Sequence, residues 1–129
     1  RSVIYSTGLP PILIESVLQA VERVEQADAE REKVAALSNE FREGLQKLGL
    51  DCGMSSTQIV PLILGDEERT LRWSRILLEK GVFAVAIRPP TVPRGAARLR
   101  FSITAAHDPI AIRQTLRKIE ECFNAEQAS

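Results

Sequence analysis

The stretch ARLRFSIT, residues 97–104, alternates apolar and polar side chains from Arg98 onward. Successive side chains on a β-strand leave on opposite faces. Leu99, Phe101 and Ile103 therefore share one face, and Arg98, Arg100, Ser102 and Thr104 share the other. A helix would not separate these two sets, because its period is 3.6 residues and not two. The apolar face needs another layer to cover it, whereas the arginine face needs water or a charged partner.

The rest of the chain supplies helices for that layer. After Pro11, the residues Leu13, Ile14, Val17, Leu18, Val21 and Val24 recur at helical spacing, and Pro10 and Pro11 suit a first turn where a missing N–H is harmless. A second amphipathic pattern runs through Val34, Leu37, Phe41, Leu45 and Leu48 to Gly49, a C-cap candidate. QIVPLILG (58–65) reads as a buried strand, which Pro61 pushes towards an edge or a bulge. Asp66 is placed to N-cap a helix through Leu78, and VFAVAI (82–87) predicts another strand. Asp108 and Pro109 open a last helix with Ile112, Leu116, Ile119 and Phe123 as its stripe. This order predicts an α+β fold. Two helices precede a three-stranded, mainly antiparallel sheet with helices on one face. Residues 1–49 form the leading segment and residues 50–129 the small α/β domain.

Composition narrows the function classes. A chain of 129 residues can bury a core without staples. Its 17 Lys and Arg balance 17 Asp and Glu, which argues against a nucleic-acid binder working through a basic surface. No apolar run approaches the roughly 20 residues of a membrane span. Cys52 and Cys122 show no metal-ligand spacing and are too few for a disulfide scaffold, so a reducing, cytoplasmic setting is expected. The opening RSVIYSTGLPP lacks both an initiator Met and a signal-peptide layout, and is expected to be a cut into a longer protein.

The candidate site lies around AIRPPTVPRGAARLRFSITAAH, residues 86–107. Pro89, Pro90 and Pro93 fix φ and stiffen the connector into the arginine strand. An arginine on the polar face is ordinary for a sheet wet on one side. A guanidinium there is also suited to grip a carboxylate fork to fork, which Lys cannot do. Arg100 and Arg88 are the candidates, while Arg94 in the turn reads as incidental. Thr91, on the stiff loop, either contacts a ligand or bonds its own turn. Ser6 and Thr7 precede a helix and suit capping or phosphate contact. His107, the sole histidine, has no carboxylate or serine pattern around it and reads as structural.

The same stretch, together with VIYSTGLPP at the start and IVPLILGD in the middle, resembles the α-oxoamine synthases, pyridoxal-phosphate enzymes of the aspartate aminotransferase fold type. The resemblance implies the small C-terminal domain of such an enzyme, preceded by the segment that leads into it from a large cofactor domain. These enzymes condense an amino acid with an acyl thioester and release carbon dioxide. The form IRPPTVP is most like the member that joins L-alanine to a pimeloyl thioester in biotin synthesis; members making 2-amino-3-ketobutyrate or 5-aminolevulinate are the alternatives. By motif position, Arg100 would hold the amino-acid carboxylate, Thr91 would touch substrate and Arg88 would line the acyl-chain entrance. Thr7, with Ser6, would approach the cofactor phosphate of a neighbouring subunit, which implies a homodimer. None of Lys33, Lys47, Lys80 and Lys118 sits in a motif like the family's cofactor lysine, so this chain alone is expected to be inactive. A non-catalytic, ferredoxin-like module of the ACT type, binding small amino acids, is the reading from a different class.

Overall fold

The structure, a computed structural model, describes residues 8–128. The elements run α1 (Pro11–Glu25), α2 (Asp28–Lys47), β1 (Ile59–Gly65), α3 (Glu67–Glu79), β2 (Val85–Ile87), β3 (Ala97–Ser102) and α4 (Pro109–Gln127). The described residues up to Arg31 form one compact unit and those from Glu32 onward form another, with α2 running across the division. The sequence had placed its boundary at residues 49 and 50.

In the first unit, α1 begins as the two prolines dictate. The Leu13 N–H donates to Pro10 O at 2.9 Å. Its apolar stripe of Leu13, Ile14, Val17, Leu18, Val21 and Val24 is present but exposed, and no residue of the helix is buried.

The second unit is organised by β3. It is the middle strand of an antiparallel sheet ordered β1-β3-β2. Val60 faces Phe101 and Leu62 faces Leu99 across one ladder, and Ala86 faces Leu99 across the other. These inward residues meet Phe41 and Leu45 of α2, Trp73 and Leu77 of α3, and Ile112 and Ile119 of α4 in one core. Phe41 and Phe101 meet edge to face with ring centroids 5.0 Å apart. The helices of this unit therefore lie on the apolar face of the sheet, as the alternation requires.

The predicted caps form. The Asp66 carboxylate accepts from the Arg69 N–H at 2.7 Å, and that of Asp108 accepts from the Ile110 N–H at 2.6 Å. Pro61 lies on an edge strand. The Ile63 N–H donates away from the sheet, to Asp51 O at 2.8 Å. By the period of two, the N–H that Pro61 lacks would point the same way, so the β1–β3 ladder loses nothing. Gly44 in α2 permits a close approach, because a Cβ there would stand 2.3 Å from Leu116 Cδ1.

Two strands are shorter than the sequence predicts. β2 was expected over 82–87 but pairs only from Val85 to Ile87. The preceding backbone is held by α3 instead. The Val82 N–H donates to Leu77 O at 2.8 Å, and the Ser74 hydroxyl donates to Ala84 O at 2.9 Å. β3 was expected to reach Thr104 but ends at Ser102. There the Thr104 N–H turns to His107 Nδ1 at 3.1 Å, an acceptor outside the sheet.

Arg69 ties three elements together. Its guanidinium grips Glu126 of α4 through Nη2 at 2.7 Å and Nε at 2.9 Å, donates to Leu64 O at 3.2 Å, and lies 5.6 Å from the Trp73 ring centroid. The hydrogen bonds from Arg69 hold the Glu126 carboxyl below the usual carboxylate range. Burial pushes the Cys122 thiol up, which keeps it protonated in the core.

Leu99→Ala should destabilise the fold by about 2–5 kcal/mol in urea unfolding, since a fully buried leucine leaves a cavity. The Glu126 pKa is depressed in the folded state, so its stabilisation is complete above the unfolded value. It is lost as pH falls through the lower folded value. Stability should thus decline below about pH 5, and Glu126→Gln should flatten that decline while costing about 1 kcal/mol at neutral pH.

Candidate functional site

Cross-strand partners share a face, so the outer side of the sheet can be read from the register. Arg100 stands between Pro61 of β1 and Val85 of β2, and Arg98 stands between Ile63 and Ile87. The outer face is therefore two arginines between two apolar rows, not a uniformly polar surface. The flanking side chains offer hydrocarbon to the arginine stems while the charged heads extend beyond it. Arg98 donates from Nε to Ala96 O at 3.0 Å. Arg100 is exposed, and its guanidinium makes no hydrogen bond or ion pair among the described residues. Its whole donor fork is available to a planar anion.

Beside Arg100 opens a cavity of about 460 Å³. Phe83, Val85, Ser102, His107 and Thr115 are among its lining residues. Phe83 is 78% exposed, an unusual setting for a phenyl ring and one that strand alternation at residues 82–84 would have signalled. His107 is fixed at this rim by two bonds to Thr104: it accepts at Nδ1 and donates its backbone N–H to Thr104 O at 3.1 Å. This agrees with a structural part for the histidine.

Thr91 and Arg88 stand apart from this cavity, and neither lines it. The Thr91 N–H donates to Arg88 O at 3.0 Å, closing a turn around Pro89 and Pro90, whose peptide bond is cis. A second closure, Ala96 N–H to Pro93 O at 3.1 Å, follows at once. Backbone bonds alone close both turns, and the Thr91 hydroxyl has no partner among the described residues. Arg88 follows Ile87, whose side chain is on the Arg98 side, so alternation directs Arg88 towards the helical face. It meets the Glu67 carboxylate there, Nη1 to Oε2 at 4.0 Å. Glu67 was not singled out from the sequence, because only the tertiary fold brings the start of α3 to the end of β2. Ser6 and Thr7, the residues expected near a phosphate, lie outside the described residues.

Three of the four lysines are occupied elsewhere. Lys33 Nζ donates to Ala105 O at 2.7 Å and Lys118 Nζ to Lys80 O at 2.7 Å. Lys80 donates to Glu121 at 2.6 Å, and this hydrogen bond raises the Lys80 pKa. The cluster of metal-ligating side chains that a metal site requires does not occur among the described residues, nor does a helix long and apolar enough to cross a membrane.

Comparison with known proteins matches residues 1–119 to the family model of aminotransferase class I and II. An 8-amino-7-oxononanoate synthase of Pseudomonas putida (strain KT2440) is 44% identical over 123 residues, which are 95% of this chain and 32% of that relative. The Sphingomonas wittichii serine palmitoyltransferase structure superposes with a TM-score of 0.86 at 25% identity, covering 96% of this chain and 32% of that one. A serine palmitoyltransferase solved with its PLP internal aldimine gives 0.86 at 27% identity over 94% of this chain and 31% of the other. The chain thus spans about a third of the length of the proteins it matches.

Because Arg100 is exposed and its guanidinium has no protein partner among the described residues, Arg100→Ala should change unfolding free energy by less than about 0.5 kcal/mol. Denaturant titration of the two proteins checks this, and separates any functional loss from misfolding.

Proposed function

We propose, because the chain belongs to the aminotransferase class I and II family, that it is the C-terminal part of an α-oxoamine synthase. The specific activity we assign to the whole enzyme is that of an 8-amino-7-oxononanoate synthase. It joins L-alanine to a pimeloyl thioester, on coenzyme A or a carrier protein, with loss of carbon dioxide, for biotin synthesis. The observation that carries this reading is the free guanidinium of Arg100, seated between Pro61 and Val85 on the outer face of the sheet. The 44% identity to a synthase of that name supports the choice of member.

Each residue then has a stated task. Arg100 grips the alanine carboxylate with two parallel hydrogen bonds, which fixes both the position and the rotation of the small substrate. Thr91 presents a hydroxyl from a loop that the prolines have already ordered, so little entropy is lost on contact. Arg88 lines the entrance for the acyl chain. In this reading residues 1–49 lead in from a large domain and residues 50–129 make up the small one, with α2 adding Phe41 and Leu45 to its core.

Pyridoxal phosphate supplies an electron sink for a carbanion at the amino acid's α-carbon. Among the described residues Lys33, Lys80 and Lys118 are each engaged with a protein partner, Ala105 O, Glu121 and Lys80 O respectively. In the proposal the cofactor lysine belongs to sequence outside this chain, and the chain alone is inactive. The proposal further gives Ser6 and Thr7 the cofactor phosphate of a second subunit as their ligand, which requires a homodimer, and sets the enzyme in the cytoplasm.

The full-length protein with pyridoxal phosphate should show a cofactor absorption band that responds to L-alanine, and a protein with neither contradicts the assignment. Arg100→Ala should lower kcat/KM for alanine by about 30- to 1,000-fold, equivalent to about 2–4 kcal/mol for a lost charged partner. Arg100→Lys should restore little, because an ammonium lacks the fork. An alanine dependence equal to wild type would remove Arg100 from the site.

A further inference from the structure

Arg88 is not free as Arg100 is, because the Glu67 carboxylate stands 4.0 Å from its guanidinium. Glu67 is the first residue of α3, and it also borders a hollow of about 450 Å³ shared with Arg94, Asp66 and the glycines 65 and 95. The carboxylate that faces Arg88 thus also borders a hollow to which a second arginine, Arg94, contributes. Its neighbour Asp66 is not interchangeable with it, since that side chain is committed to the helix cap at Arg69 N.

We propose that Glu67 is a specificity-determining residue that tunes how strongly Arg88 attracts an anionic group on the thioester substrate. This rests on the assignment of Arg88 to the acyl entrance. An arriving anion meets a guanidinium whose charge is already partly answered, and it must displace the Glu67 carboxylate against like-charge repulsion. Both side chains of the pair are about half exposed, at 54% and 44%, so the hold is loose and the displacement is within reach of a single anion. Glu67 thereby sets a threshold. It discourages weak, adventitious anions from resting on Arg88 and admits a substrate that brings its own charge together with an acyl chain. The anion has two possible sources, the phosphates of the carrier and the terminal carboxylate of a dicarboxylic acyl chain.

The test uses the full-length enzyme and the steady-state KM for pimeloyl-coenzyme A. Glu67→Gln should lower that KM by about two- to fivefold, the scale of an exposed ion pair. The KM for alanine should not follow. Glu67→Asp should lie between the two, and the effect of Glu67→Gln should vanish in an Arg88→Ala background. Raising ionic strength should shrink the difference between wild type and Glu67→Gln. Pimeloyl-pantetheine, which lacks phosphates, identifies the source. The Glu67 effect disappears with it if phosphate is the anion, and persists if the acyl carboxylate is. An Arg88→Ala enzyme with raised thioester KM, alongside a Glu67→Gln enzyme like wild type, overturns the role of Glu67 and leaves that of Arg88 intact. If Arg88→Ala itself leaves thioester KM unchanged, the entrance assignment falls and this inference falls with it. Equal loss in both substrates, with lowered stability of Glu67→Gln, would make Glu67 merely structural.

Discussion

The antiparallel seat of β3 between β1 and β2 is the constraint on which the rest of the small domain depends. One strand supplies the centre of the core through Leu99 and Phe101 and presents the outer face through Arg98 and Arg100. Its two roles cannot be separated. A slip of one residue would drive both guanidiniums into the packed side of α2, α3 and α4 and expose the leucine and the phenyl ring. Burial thus fixes the register, and the register aims the arginines.

The arginines differ mainly in how their donors are used. Arg69 is spent on Glu126 and Leu64 O, Arg42 donates to Thr57 O at 2.6 Å, and Arg113 reaches Glu40 at 3.0 Å. These link elements of the fold. Arg88 is held loosely by Glu67, and Arg100 by nothing. A guanidinium is costly to order and useful for planar recognition, so one left without a partner on a stiff, well-packed strand is the natural place to look for a ligand.

Much of this was legible in the sequence. The alternation of ARLRFSIT named the inner and outer faces, and Asp66 and Asp108 marked helix starts, because both signals depend on neighbours a few residues away. Strand ends were less legible. Whether Val82–Ala84 joins the sheet is decided by the Ser74 hydroxyl and Leu77 O, which no local pattern encodes. The contact of Glu67 with Arg88 escaped for the same reason. The helical period of α1 was clear, yet an apolar stripe says only that a face is suited to burial, and here that face is exposed. Membership of the aminotransferase class I and II family removes the regulatory-module alternative, which strand and helix order alone had left open. That order is too widely shared among folds to choose.

Pro61 has an effect beyond the sheet it belongs to. On the free side of β1 it offers no donor, and the next donor on that side, at Ile63, is already taken by Asp51 O. A foreign strand docking there would find its ladder interrupted at two successive positions. The opposite margin, β2, is only three residues long. Both borders of this small sheet are thus poor templates for runaway strand addition.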